Sequence, residues 1–106
     1  MQSLDFVTKR GDTFDQVTFT INIDGVPLDL TGATIRMQLR KSAGAPVAFT
    51  PELSIINAAS GEFAIDEQII DIPACVYKYD IEIELDSGEV KTWIYGNFTI
   101  NDDITR

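Results

Sequence analysis

The chain has 106 residues, 44% hydrophobic and 24% charged, which excludes a disordered segment and allows a core burying roughly 65% of the unfolded surface. Seventeen acidic residues against eight basic ones give a formal charge of −9, which argues against partners such as nucleic acid phosphates or an anionic membrane surface. One cysteine and no histidine leave no internal disulfide, remove the commonest general base, and remove most zinc sites.

Period-two hydrophobic alternation runs almost end to end, so strands are expected throughout. Arg10-Gly11-Asp12 reads as a turn between two strands, glycine serving the turn rather than the tripeptide serving recognition. Val17, Phe19, Ile21 and Ile23 alternate with Thr18, Thr20 and Asn22, and Asp24-Gly25 supplies a tight hairpin turn. Val26-Pro27-Leu28 returns beside that strand, and Pro27, lacking an N–H, places the return at an edge. After Thr31-Gly32, Ile35, Met37 and Leu39 point inward while Arg36, Gln38 and Arg40 point outward.

A loop through residues 41–46 leads to a hairpin whose arms are Leu53 to Ile56 and Glu62 to Ile65. The stretch from Asp66 to Pro73 breaks the alternation and is expected to form a helical or 3₁₀ turn, with Asp66 as N-cap and Pro73 as stop. Its isoleucines would plug one end of the fold. The last third alternates most clearly. Tyr77, Tyr79, Ile81, Ile83 and Leu85 share one face, and Lys78, Asp80, Glu82 and Glu84 the other. If Ser87-Gly88 forms a two-residue loop, Leu85 faces Val90, Glu84 faces Lys91, Ile81 faces Ile94 and Tyr77 faces Phe98, with Val90, Thr92 and Ile94 on one face. Tyr79 would then cover the missing side chain of Gly96.

Seven to eight short strands with turns between them specify an all-β, immunoglobulin-like antiparallel β-sandwich, a single domain over residues 1–106. No catalytic, metal-binding or cofactor-binding residues emerge. The acidic stripe Asp80, Glu82 and Glu84 spreads along a strand at about 7 Å per step, a spacing suited to ion pairs with Arg36 and Arg40 rather than to a calcium ion. Cys75 has no basic neighbour closer than Lys78 and reads as a small buried or half-buried apolar side chain. Trp93 and Tyr95 fall on the outer face of the last long strand. They are the candidate protein–protein interface, unless the loop around residues 41–52 or the N-terminal segment folds over them. Exposed aromatics also admit a carbohydrate-binding module as an alternative.

Three strings carry a resemblance: Arg10-Gly11-Asp12-Thr13-Phe14, Pro27-Leu28-Asp29-Leu30-Thr31-Gly32-Ala33, and the run from Ile72 through Pro73, Tyr77 and Tyr79 to Ile81. They resemble small bacteriophage and prophage tail or baseplate proteins, similar to the N-terminal domains of baseplate upper proteins. Cys75 stands where such relatives commonly carry glycine. The resemblance implies a non-enzymatic virion component that contacts itself, other tail proteins or both, and a symmetric homo-oligomer is natural for a repeated part. The absence of a basic, apolar leader and the lone cysteine lead to the expectation of folding in the bacterial cytoplasm before incorporation into a virion.

Overall fold

The structure is a computed structural model and describes residues 2–102. In chain order its strands are β1 (Gln2–Ser3), β2 (Phe6–Lys9), β3 (Thr13–Phe14), β4 (Val17–Thr20), β5 (Asn22–Ile23), β6 (Val26–Pro27) and β7 (Thr34–Arg40). They continue with β8 (Val47–Phe49), β9 (Leu53–Asn57), β10 (Glu62–Ile65), β11 (Gln68–Ile69), β12 (Cys75–Glu84) and β13 (Val90–Asn101), with one 3₁₀ turn at Ala58–Ser60. The larger sheet has the order β1-β13-β12-β7-β8, with β2 also on the free side of β13; the smaller is β4-β10-β9. The orders β4-β10-β9 and β7-β12-β13 reproduce the B-E-D and C-F-G layers of an immunoglobulin sandwich.

Two expectations about the strands are corrected. There are more than seven or eight, because long runs break at corners. Between β4 and β5, Ile21 donates its N–H to Gly61 O and accepts from Leu28 N, both outside the ladder. Nor is the fold wholly antiparallel, since β1 and β2 both run parallel to β13. The Asp24-Gly25 hairpin is as the sequence requires, with φ of 53° and 80° and Ile23 paired to Val26.

The core lies between the sheets. Leu39, Phe63, Ile65, Ile81, Ile83 and Phe98 are fully enclosed, each contributing roughly 1.5–3 kcal/mol by burial. Phe19 stacks on Phe63 at 5.1 Å, while Phe6, Phe14, Tyr79 and Phe98 form a second aromatic group with centroids 5.3–6.2 Å apart. At the start of β12, the Tyr77 hydroxyl donates to Pro73 O at 2.6 Å. This is the tyrosine corner of immunoglobulin-like folds, fixing the crossing between sheets for about 1 kcal/mol.

The stretch from Asp66 to Pro73 is extended rather than helical. β11 pairs with β3, and the Gln68 side chain bonds Glu52 O, Glu52 N and Asp66 O, tethering the segment to the chain before β9. Asp66 accepts from Ser54 Oγ instead of capping a helix. Ile70 and Ile72 do fill the core, but Ile69 faces solvent.

The hairpin between β12 and β13 has a three-residue loop, not two. Leu85 N donates to Glu89 O and Gly88 N to Leu85 O, each at 2.8 Å, with Gly88 at φ 92°. Glu84 therefore pairs with Val90, Ile83 with Lys91 and Glu82 with Thr92, one residue away from the two-residue register. A bulge at Trp93 absorbs the surplus residue, and from Ile81–Ile94 onward the pairs Tyr79–Gly96 and Tyr77–Phe98 are those the sequence indicates. Val90 and Thr92 consequently lie on the outer face, opposite Glu84 and Glu82, rather than with Ile94.

Gly96 is needed for a different reason than an uncovered glycine. The N-terminal chain kinks across it between β1 and β2, so that a Cβ at Gly96 would lie 2.1 Å from Leu4 O. Leu4 N bonds Tyr95 O, Asn97 N bonds the Asp5 carboxylate, and the Tyr79 hydroxyl donates to Leu4 O. Tyr79 thus reaches past Gly96 to hold the crossing segment.

Gly96→Ala should displace residues 2–5 and cost about 2–3 kcal/mol, a fall in Tm on the order of 10 °C. Differential scanning calorimetry reads the loss, and a wild-type melting curve would show that the segment does not cross there. Burial raises the pKa of both Tyr79 and Tyr77 in the fold. A raised folded value means their contribution is complete below the unfolded tyrosine pKa of about 10 and is lost as pH climbs above it. Urea midpoints should accordingly drop above about pH 10, and Tyr79→Phe should be less stable at neutral pH yet lose less on going alkaline.

Candidate interaction surface

The outer face of the larger sheet is built by the side chains that the alternation turns away from the core. β12 contributes Lys78, Asp80, Glu82 and Glu84; β7 sets Arg40, Gln38, Arg36 and Thr34 directly opposite them. On the other flank, Asn97, Tyr95, Thr92 and Val90 of β13 complete the same four rows. Ser3 extends the Asp80–Tyr95 row, and Val7 and Lys9 of β2 lie beside Thr99 and Asn101.

Arg36 joins the lower two rows, bonding Glu82 at 2.6 Å and Glu84 at 3.1 Å. These hydrogen bonds, Glu82 first, raise its pKa and keep it charged. The ion pairing expected of the acidic stripe is therefore present for two of its three carboxylates. Arg40 does not join it, bonding Gln38 and the Ala45 carbonyl instead. Lys78 bonds Asn97 at 2.6 Å. Among the described residues the Asp80 carboxylate has neither an ion pair nor a hydrogen bond. It borders a cleft of about 370 Å³ formed by residues of β7 and β12 with Ser42 and Ala43 after β7, lined also by Gln38, Arg40, Lys78 and Tyr79.

The two candidate aromatics are placed differently. Tyr95 stands on the outer face with 45% of its surface exposed, opposite Asp80 and beside Ser3. Trp93 occupies the bulge, which takes it out of the alternation. It is half-buried and packs against the core, and its indole N–H is enclosed without a hydrogen-bond partner. A three-residue loop signalled by Asp86-Ser87-Gly88 would have revealed this displacement, since a surplus residue must be absorbed somewhere along the ladder.

The other singled-out residues serve the scaffold. Gly11 makes its turn at φ 79°, and Arg10 pairs with Asp71 at 3.0 Å. Cys75 is half-buried against the core and has negative φ, so a side chain is tolerated at the start of β12. Among the described residues, no three Asp, Glu or Cys side chains are grouped to hold a metal ion.

The strings that carry the resemblance are corners. In Leu28-Asp29-Leu30-Thr31-Gly32, the Asp29 carboxylate accepts from Thr31 N at 2.9 Å and Thr31 Oγ1 at 2.7 Å, and these bonds, the hydroxyl's first, lower its pKa. Leu30 is fully buried, and Gly32 turns the chain at φ 76° into β7. Comparison with protein families gives a match over residues 6–103 to the N-terminal domain of BppU, the baseplate upper protein.

The chain belongs to the BppU N-terminal domain family. It is thereby a phage baseplate domain with a structural role in the virion. The curated proteins contain no match to it. Among solved structures it is similar to a family 123 glycoside hydrolase from Clostridium perfringens, at 14% identity and a TM-score of 0.40. That alignment covers 98% of this chain but 24% of the hydrolase, and similarity at this level carries no argument about chemistry. Within the BppU N-terminal domain, the conspicuous motifs hold corners, while the outer face presents Tyr95 and the charged rows to solvent.

Trp93 is the sole tryptophan, so its fluorescence reports the bulge alone. Emission should be blue-shifted and weakly quenched by iodide in the native protein, moving red only on unfolding. A red-shifted, readily quenched native spectrum would place the indole on the outer face with Tyr95.

Proposed function

We propose that this chain is a single-domain, non-enzymatic assembly component of a phage or prophage baseplate, working through protein–protein contacts with copies of itself, with other tail proteins, or both. The family match across residues 6–103 is the observation that carries this reading. The absence of histidine and the commitment of the described Arg36, Glu82 and Glu84 charges to one another are in keeping with it, since neither supplies a reacting group. Folding in the reducing bacterial cytoplasm before incorporation suits a chain with one cysteine. Tyr95 is the exposed contact on this reading, and Trp93 the half-buried neighbour that anchors its end of β13.

The test is particle composition. Virions from a host carrying the intact gene should contain the chain in the tail fraction by quantitative mass spectrometry, and deletion should yield particles with defective baseplates. Tyr95→Asp, on an exposed position, should fold normally yet reduce incorporation several-fold. Complete baseplates assembled without the chain would overturn the assignment.

A further inference from the structure

The charges on this protein are unevenly divided. The outer face of the larger sheet carries four cations, Lys9, Arg36, Arg40 and Lys78, against three carboxylates, Asp80, Glu82 and Glu84. That is a net of +1, so the remainder of a chain of formal charge −9 carries −10. The rest of the chain is acidic on average, so two copies that meet through the outer face avoid most of the repulsion of like charge.

The face is also polar along its strands. Lys9, Arg40 and Lys78 lie toward one end, where β12 begins, and Glu82 and Glu84 toward the other. A two-fold axis lying between two facing sheets and running across the strands reverses strand direction. It brings the cationic end of each copy over the acidic end of its partner. With the axis between the Lys78 and Asp80 rows, Lys78 faces Asp80 of the second copy, Arg40 faces Gln38, and Asn97 faces Tyr95. The reciprocal contacts follow from the symmetry. An axis through the Asp80 row would instead oppose two unpaired carboxylates.

We infer that the outer face of the β8-β7-β12-β13 sheet is the contact surface of a symmetric dimer of this chain, in the register that pairs Lys78 of each copy with Asp80 of the other. Asp80, without a partner in the single chain, gains one, and the cleft beside it has room for the incoming lysine. The available area supports a dimer. Five strand positions at about 4.8 Å and rows spanning about 30 Å give on the order of 700 Å², close to the roughly 800 Å² each partner contributes to a standard interface. Sheets so packed lie about 10 Å apart, with Tyr95 and Val76 in the contact. This inference rests on the assembly role proposed above and specifies one of its surfaces.

The experiment is charge complementation followed by sedimentation equilibrium over a concentration series. Wild type should approach twice the 11.8 kDa chain mass and dissociate as salt rises. Lys78→Asp makes both contact positions, 78 and 80, acidic, and Asp80→Lys makes both basic. Each variant alone should dimerise at least tenfold more weakly, and an equimolar mixture should recover the dimer. Both positions are exposed, and circular dichroism melts check that each variant is folded. A wild type that stays monomeric at every concentration, single variants that dimerise undiminished, or a mixture that fails to recover would each overturn the inference. Presence of the chain in virions is measured separately, so a monomeric protein that still enters the baseplate would defeat this contact and leave the assembly role standing.

Discussion

The β12–β13 ladder has one residue more on its second strand than on its first. The loop at Asp86-Ser87-Gly88 needs three residues because Gly88 adopts a left-handed conformation that closes a turn begun at Leu85. Left uncorrected, the extra residue would turn Ile94, Phe98 and Ile100 to solvent, since a shift of one reverses every side chain. Burial of three such side chains outweighs the local disruption of one bulge, so the irregularity settles at Trp93, before the first of them. The rest of the molecule hangs on this choice. β7 pairs along β12, β1 and β2 pair along β13, and the aromatic group around Phe98 closes beneath them.

What the sequence makes legible follows from the range of the interactions involved. β7 is readable because Ile35, Met37 and Leu39 alternate with polar neighbours, and the β9–β10 hairpin because its turn residues lie between two apolar runs. The inner half of the last hairpin is equally plain, since Tyr77, Tyr79 and Ile81 find Phe98, Gly96 and Ile94 through one pattern. β1 and β2 are short, and what defines them is pairing with the distant β13, which no local period records. The stretch from Asp66 to Pro73 misleads because isoleucines at 69, 70 and 72 suit a helical face as well as a strand. The Gln68 tether and pairing to β3 decide between them. Of the candidate surface, Tyr95 and the charged rows could be placed by alternation. Trp93 could not, because a bulge is invisible to a strict period of two.

The motifs that resemble phage baseplate proteins and the proposed contact surface are separate parts of this molecule. Asp29 with Thr31, Gly32, and Tyr77 with Pro73 all fasten corners, where only a few residue types give the required turn or cap. Such positions identify the architecture. The outer sheet face must satisfy only exposure and solubility, so many sequences serve it, and its particular arrangement of Arg36, Lys78 and Asp80 is not dictated by the fold. Family membership therefore explains the fold more completely than it explains which partner is chosen.

The same separation accounts for how the sandwich holds without a covalent link. Antibody domains join their sheets by a disulfide whose second cysteine follows the corner tyrosine by two residues. Here that position is Tyr79, two after Tyr77. The chain's one cysteine is Cys75, so no such disulfide can form within it. Tyr79 substitutes for it with a large buried ring packed against Phe6 and Phe98, and with a hydroxyl reaching the Leu4 carbonyl. The substitution changes what is fastened. A cysteine at this position would tie one sheet to the other, whereas Tyr79 ties the N-terminal crossing to the central strand of its own sheet. The flank of β13 away from β12 is thereby paired by β1 and β2 instead of being left as an open edge.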